Sequence, residues 1–264
     1  MWNDQNEMMP DFAGIGVPFG SVYDEGTTTQ KVAVGQKVVM KDGRVFRYAK
    51  AGGTIGVGLI AAAVPNEQAI AATHFGATVS VAPVSGEGLT VGDTKVRLTD
   101  DVTGVTLNEY AGGTLIITDD AGEGYTYRIK GNEASASGEV GFLVTLFDGD
   151  GIKVALGNAS VGAMVADPLN EVIVAAAADP TVVVPVGRAM VGLADGEYGW
   201  LQTWGVCSLK ADTSSVDVGE QVILSEATEG TVQTGLGENT PIVGHALTDG
   251  ANTIWAVCSL TINP

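Results

Sequence analysis

The stretches TWGVCSLKA at 203–211 and IWAVCSLTI at 254–262 share the pattern Trp-x-Val-Cys-Ser-Leu. Successive side chains of a β-strand point to opposite faces, so each copy divides into two sets of side chains. In the first copy Trp204, Val206 and Ser208 share one face, and the other face carries glycine, cysteine and leucine. The second copy divides in the same way. We therefore expect two similar β-strands, and an all-β fold around them.

The two copies hold the only cysteines of the chain, Cys207 and Cys258. Each has apolar neighbours on its own face of the predicted strand, which favours a buried, small hydrophobic residue. Three alternatives remain, namely a disulfide between paired strands, a zinc site, and a catalytic thiol with His245. A chain made in a cytoplasm disfavours the disulfide. A zinc site needs four ligands, whereas the chain has only two histidines, the isolated His74 and His245.

Glycine is unusually frequent in the chain, with 37 glycines among 264 residues, while 45% of the residues are hydrophobic and 6% are aromatic. Many glycines between short runs of Val, Thr and Ile indicate a chain that turns often, which fits an all-β protein better than a helical one. A chain of this length forms one large domain or two to three small ones. We predict two or three small β-barrel or β-sandwich modules and an extended N-terminal arm.

Changes of pattern divide the chain into four parts. Residues 1–24 lack periodicity but carry large apolar side chains, and we interpret them as an extended arm. An N-terminal β-module follows at 25–76, a middle β-domain at 77–180 and a C-terminal β-module at 181–264. The last boundary is the Asp179–Pro180 step, because the residue before a proline is biased away from helical backbone. In an alternative division, 25–76 and 181–264 form one barrel with 77–180 inserted.

Turn sequences predict individual hairpins. Lys41-Asp42-Gly43 is a hairpin signal, and RVFRYAKA at 44–51 follows it with period-two alternation. TLIITDD–AGEG–YTYRIKGN at 114–132 is the clearest hairpin of the chain. NEQAIAATHF at 66–75 predicts one short helix.

A second pattern also recurs, as VGQKVVM at 34–40 and VGEQVIL at 218–224, with VGDTKVRL at 91–98 as a looser copy. The copies are too short for the period of a solenoid or a propeller. We interpret them as a sign that similar small β-modules recur.

The chain is strongly acidic, with a net charge of −18 and a pI of about 4.2. Nucleic acid and anionic membranes are therefore not expected as partners, because binding them needs clustered Lys and Arg. No apolar run reaches the roughly 18 residues of a membrane span. The N-terminus is acidic and polar, unlike a secretory signal, so we expect synthesis in a cytoplasm without export by the usual signal.

Six of the thirteen basic residues lie in the window 31–50. They are Lys31, Lys37, Lys41, Arg44, Arg47 and Lys50. One interpretation is a solvated hairpin face, and the other is a contact for an acidic surface on a partner.

No catalytic or metal-binding constellation emerges from the sequence, and we assign no cofactor. FDGDG at 147–151 predicts a turn, with a weak cation site at Asp148 and Asp150 as the alternative, since an EF-hand loop needs further ligands. An enzyme with paired carboxylates would need a cleft lined by aromatic side chains. Trp200 and Trp204, close in sequence to Glu197 and Tyr198, form the only such cluster, and we expect them to fill a small β-core instead.

Three stretches carry a resemblance to a known family. They are GRVFRYAKAGGTIGVGLIAAA at 43–63, AGGTLIITDDAGEGYTYRIKGNEASASGEVGFLVTLFDGDGIKVAL at 111–156, and GEYGWLQTWGVCSLKAD at 196–212 with the VGEQVIL and IVGHAL that follow it. Together they resemble the proteins that decorate or cement the heads of tailed phages, cyanophages among them. The resemblance covers most of residues 25–264 and rests on strand patterns, none of them catalytic.

The resemblance implies a non-enzymatic structural protein on the outer surface of an icosahedral head. Its partners would be the major capsid protein and further copies of itself in a homotrimer that bridges neighbouring capsomers. Such a protein stabilises the expanded shell by its own binding free energy, and many weak contacts add through multivalency.

Two groups of residues are our candidates for capsid or intersubunit contacts. The apolar arm supplies Trp2, Phe12, Phe19 and Tyr23, and the basic window supplies Lys37, Lys41, Arg44 and Arg47. The alternative function is a tail or fibre component that contacts glycans on the host surface. A β-rich enzyme is a third, less favoured class.

Overall fold

The fold is known from a computed structural model, which describes the following residues. They are 8–10, 21–24, 26–63, 67–70, 89–98, 104–135, 142–147, 149, 151–157, 159–177, 183–212, 214–235, 240–251 and 253–262. All regular structure in these ranges is β-strand, which confirms the all-β prediction. They contain no helix with the length and apolar character that a membrane crossing requires.

Seventeen strands follow one another along the chain. They are β1 (Met8–Pro10), β2 (Lys37–Met40), β3 (Val45–Lys50), β4 (Ile60–Ala63), β5 (Glu67–Ile70), β6 (Lys95–Leu98), β7 (Thr114–Asp119), β8 (Thr126–Asn132), β9 (Phe142–Leu146), β10 (Val161–Val165), β11 (Ile173–Val174), β12 (Val184–Ala189), β13 (Tyr198–Lys210), β14 (Gln221–Leu224), β15 (Val232–Thr234), β16 (Ile242–Ala246) and β17 (Trp255–Thr261). The short helix predicted at 66–75 is wrong over β5, because β5 pairs antiparallel with β10.

The strands belong to two compact units. The first unit comprises residues 1–64 and 168–264, and the second comprises residues 65–167. Strands from both parts of the first unit lie in one eleven-stranded sheet, a curled half-barrel with the order β1-β2-β3-β13-β17-β16-β14-β15. Next to this path, β12 pairs with both β13 and β4, and β4 pairs with β11. The second unit contains a six-stranded sheet with the order β5-β10-β7-β8-β9-β6.

Two predicted hairpins are confirmed by strand pairing. The turn at 41–43 joins β2 to β3, and the turn at 120–124 joins β7 to β8. In β3 the period-two alternation does not separate an exposed face from a buried one. Phe46 and Ala49 point to opposite faces, and both are fully buried. Phe46 packs in one apolar cluster and Ala49 in another, so both faces of the strand are covered.

The recurring Val-Gly pattern forms the same turn three times. Its glycine has a positive φ in each copy, 83° at Gly35, 85° at Gly219 and 97° at Gly92. The residue after the glycine donates its N–H to the carbonyl three residues before it, which is the geometry of a type II turn. These bonds run from Gln36 to Ala33 (3.0 Å), from Glu220 to Asp217 (3.2 Å) and from Asp93 to Thr90 (3.1 Å).

The glycine of each turn is also bound to the facing chain segment. Its N–H donates to a carbonyl there, at Tyr48 (2.8 Å), Ala246 (2.9 Å) and Ile152 (2.8 Å). The N–H of each of those residues donates back to the residue after the glycine. What recurs with the Val-Gly pattern is therefore one turn, which precedes β2, β14 and β6 and is bound to the facing chain segment in the same way each time.

The Trp-x-Val-Cys-Ser-Leu copies pair with each other. They lie in β13 and β17, which run antiparallel with Cys207 opposite Cys258. Because the two cysteines hold the same place in the pattern, a local two-fold axis passes between them. The strand order is similar on the two sides of the axis: β13 is followed outward by β3 and β2, and β17 by β16 and β14. Both β2 and β14 follow a Val-Gly turn.

Candidate interaction surface

The β2–β3 hairpin orders several residues of the basic window. Asp42 accepts hydrogen bonds from the main-chain N–H of Arg44 at 3.1 Å and from its Nε at 2.7 Å. Burial raises the pKa of Asp42, but these bonds outweigh it and hold that pKa below its usual value. Burial lowers the pKa of Arg44, while hydrogen bonds to Asp42 and Tyr23 raise it above its usual value overall.

Carboxylates accompany other cations of the same window. Lys50 Nζ lies 2.8 Å from Glu171 Oε1, and this hydrogen bond raises the pKa of Lys50. Lys31 Nζ lies 4.0 Å from Asp24. Asp42, Glu171 and Asp24 lie beside three of the cations in the window. The surface of the window is therefore less positively charged than its lysines and arginines alone would make it.

The remaining candidates of the basic window lie on the hairpin. Lys37 and Arg47 are opposite each other across β2 and β3, and Arg47 Nη1 donates to the carbonyl of Gly35 at 3.4 Å. Lys41 is exposed in the turn.

Tyr23 is the one candidate of the arm that the structure describes, and it is exposed. Besides its hydrogen bond to Arg44, it interacts electrostatically with Arg188. The structure thus brings Tyr23 and Arg44 together near a third residue that the sequence analysis did not single out. Trp2, Phe12 and Phe19 lie outside the described residues, as do Asp148 and Asp150 of the candidate cation site.

The β13–β17 pair presents one uncovered side, which we call the outer face. It consists of eight side chains, Trp204, Val206, Ser208, Lys210, Trp255, Val257, Ser259 and Thr261. The opposite side carries Cys207, Leu209, Ala256, Cys258 and Leu260, which pack in the core of the first unit. The exposed fractions on the outer face are 36% for Trp204, 54% for Val206, 43% for Trp255 and 38% for Val257.

The outer face repeats itself about the local two-fold axis. Each strand contributes Trp, Val and Ser in the same order, so the two tryptophans lie at diagonally opposite corners. None of the eight side chains is acidic, although the chain carries 31 acidic residues. Large uncovered apolar patches are unusual on soluble monomers and mark sites of interaction.

Arg188 of β12 borders the outer face at Ser208. Its Nε donates to the Ser208 carbonyl at 2.7 Å and its Nη2 to Ser208 Oγ at 3.2 Å. Gln202 Nε2 donates to the carbonyls of Trp204 (3.1 Å) and Val206 (3.0 Å). These side chains satisfy carbonyls of β13 at and beyond the end of its pairing with β3, and satisfied carbonyls are less open to pairing with a further strand.

Arg188 also lies beside Trp255. A Cβ placed on Gly58 would overlap the six-membered ring of Trp255 and lie 3.2 Å from Arg188 Nη2. Arg188 Nη2 and the Trp255 ring therefore both lie close to Gly58. Burial lowers the pKa of Arg188, more than its electrostatic interactions with Cys207 and Tyr23 raise it.

Both thiols are free. Cys258 is fully buried, which confirms the interpretation as a core residue, whereas Cys207 is only half-buried and packs at the edge of the same cluster. Among the described residues no group of three or more His, Cys, Asp and Glu side chains could hold a metal ion.

Trp200 and Trp204, which the sequence groups in one aromatic cluster, differ in burial, since Trp200 is buried and Trp204 is exposed. Trp200 is buried and packs edge-on against Tyr48, with ring centroids 5.1 Å apart, as expected for a core residue. Trp204 lies on the outer face instead. The Glu197 carboxylate accepts a hydrogen bond from the N–H of Ala194 at 2.8 Å, within its own turn.

Sequence reasoning missed Arg188, Lys210 and Trp255 as a group. One signal could have found two of them, because Arg188 and Lys210 are the only basic residues of 168–264. Comparison of the chain with protein-family models, with curated proteins and with solved structures finds no match.

Proposed function

We propose that this chain is a structural virion protein that binds the outer surface of an icosahedral phage head and stabilises the expanded shell by bridging capsomers. The observation that supports this best is the outer face, an uncovered sheet surface with two tryptophans and two valines. Burying apolar area contributes about 25 cal/mol per Å² removed from water. A partner that covers these four side chains therefore gains several kcal/mol before the costs of association.

The symmetry of the fold supports a binding role as well. The local two-fold axis relates the Trp, Val and Ser side chains of the two strands, so one unit offers two similar apolar contacts. In the homotrimer that we propose, contacts of this kind would multiply and add through effective concentration. The major capsid protein would be the partner, and the stabilisation would follow from binding the assembled shell alone.

Copy number tests this proposal most directly. We would measure the ratio of this chain to the major capsid protein in purified particles of the phage that encodes it, by quantitative gel densitometry. A ratio near one, or a simple fraction such as one third, is expected for a protein spread over the head lattice. A ratio of a few per cent would contradict the proposal.

A pair of variants tests the outer face itself. We expect Val206→Asp combined with Val257→Asp to abolish retention on particles, because the new carboxylates cannot be buried without a partner charge. Val91→Asp is the matched control, since Val91 is also exposed but belongs to the second unit. Circular dichroism would confirm that both variants are folded. Full retention of the double variant would exclude this face as the contact.

A second candidate is a tail or fibre component that contacts host glycans. It is favoured by the exposed indoles of Trp204 and Trp255, because sugars stack on aromatic rings. A copy number of a few per cent, together with binding to host glycans that Trp204→Ser and Trp255→Ser remove, would favour this candidate.

A further inference from the structure

We propose that the Trp255 end of the outer face binds carboxylate groups of an acidic, partly apolar segment on the partner protein. This inference rests on the proposed function, since it specifies the chemistry of the partner at that same face.

Two cations flank one exposed aromatic ring at this end. Lys210 is directly opposite Trp255 in the register of β13 and β17, on the same side of the sheet. Arg188 and the Trp255 ring both lie next to Gly58. Ser208 adds a hydroxyl that Arg188 already holds in place. The arrangement places two positively charged side chains at the same end of the outer face as one partly exposed aromatic ring.

These charges are concentrated at one place in an acidic background. Residues 168–264 contain eleven acidic side chains and only two basic ones, Arg188 and Lys210. Both basic side chains lie at the Trp255 end. The acidic surroundings do not account for two basic side chains at one end of the outer face. Binding of a carboxylate ligand there would account for them.

Neither cation has a carboxylate partner among the described residues. Lys31, Arg44 and Lys50 of the same unit each lie within 4.0 Å of a carboxylate. The described contacts of Arg188 are instead a carbonyl, a hydroxyl and, from Nη1, the sulfur of Met190 at 3.3 Å. A half-buried guanidinium without a counter-charge gains from an incoming anion, because its own desolvation cost is already met in the free protein.

The properties of the patch favour a protein segment over other anions. Guanidinium groups bind carboxylates through parallel hydrogen bonds, and the Trp255 ring accommodates a neighbouring apolar side chain. A nucleic acid or an anionic membrane would bring dense negative charge near a protein of net charge −18. A short acidic segment brings only the charges that meet Arg188 and Lys210.

A peptide titration tests the inference without any virion. The probe is an acetylated and amidated Leu-Glu-Glu-Leu peptide, and its control is the uncharged Leu-Gln-Gln-Leu. Both are added to the ¹⁵N-labelled protein at about 0.15 M salt, where the Debye length is about 8 Å and more distant charges are screened. The Trp255 indole N–H signal is identified by its loss in Trp255→Phe.

We expect the glutamate peptide to shift the Trp255 signal and the glutamine peptide to leave it unchanged. Lys210→Gln should weaken binding about threefold, as for an exposed ion pair, and Arg188→Gln about tenfold, as for a partly buried one. Lys130→Gln, an exposed lysine of the second unit, should have no effect. Because Arg188 also holds Ser208, Lys210→Gln decides the question if Arg188→Gln does not fold.

Three results would overturn the inference: no shift of the Trp255 signal, equal shifts with both peptides, or unchanged affinity in Lys210→Gln. A heparin fragment that shifts the signal at lower concentration than the peptide would also overturn it, in favour of an anionic glycan. These results differ from those that would contradict the proposed function. If only the proposed function is wrong, the copy number is low and the peptide still binds.

Discussion

At the scale of single residues, the two cysteines show how a strand pair decides reactivity. Cys207 and Cys258 lie opposite each other on the core side of β13 and β17. Burial raises the pKa of Cys207 to about 12, although Arg188 opposes this, and it raises the pKa of Cys258 to about 11. The thiolate is the nucleophile, so a raised pKa makes both groups inert at neutral pH.

We therefore expect neither thiol to react with an aromatic disulfide reagent at pH 8 in the native protein, and both to react in denaturant. The neutral thiols stabilise the fold fully below the unfolded pKa of about 8.5, and this contribution is lost as the pH rises through the folded values. Thiol release followed by absorbance tests the reactivity, and denaturant midpoints from pH 7 to 11 test the stability. Rapid labelling of either thiol in the native protein would contradict the prediction.

At the scale of elements, the Val-Gly turns connect a short pattern to a backbone requirement. The glycine needs a positive φ, which other L-residues adopt only at a cost. At Gly92 and Gly219 an added Cβ would meet no atom within 4 Å, so a substitution there tests the backbone alone.

We expect Gly219→Ala to lower the free energy of unfolding by about 1–2 kcal/mol, because alanine is strained at this φ. Gly219→Asn should cost less, since asparagine tolerates left-handed backbone better than alanine. Urea denaturation followed by tryptophan fluorescence gives both values. Val218→Ala, an exposed neighbour in the same turn, is the control and should stay within about 0.5 kcal/mol of the parent. Equal stability of Gly219→Ala and the parent would show that the turn does not require glycine.

Element prediction succeeded where the signal is local and failed where pairing decides. The turns at 41–43 and 120–124 depend on a few adjacent residues, and the structure contains both hairpins. The stretch 66–75 contains several good helix formers, but the pairing of Glu67–Ile70 with β10 outweighs that local preference.

At the scale of the whole molecule, the two compact units differ in their content of tryptophan, the fluorescent probe. All four tryptophans belong to the unit of 1–64 and 168–264, and 65–167 contains none. Tryptophan fluorescence therefore reports on the first unit, whereas far-ultraviolet circular dichroism reports on both.

We expect urea unfolding curves from these two probes not to coincide, because units with separate cores unfold independently unless they are strongly coupled. The circular dichroism curve should contain a second transition that fluorescence lacks. Leu115→Ala, in the core of the second unit, should move only that transition, to lower urea. Coincident curves that shift together in Leu115→Ala would instead indicate one cooperative molecule.

The sequence by itself determined the all-β fold, the hairpin turns at 41–43 and 120–124, and the similarity of the two Trp-x-Val-Cys-Ser-Leu strands. These features follow from alternation and turn chemistry, which involve residues close together in the chain. Only the tertiary structure decided that the other side of those strands, with Trp204, Val206, Trp255 and Val257, stays exposed. Both sides are largely apolar, so alternation favours burial of the cysteine side but does not show whether the other side is covered as well. The meeting of Arg188 with Trp255 likewise required the pairing of strands that are distant in sequence.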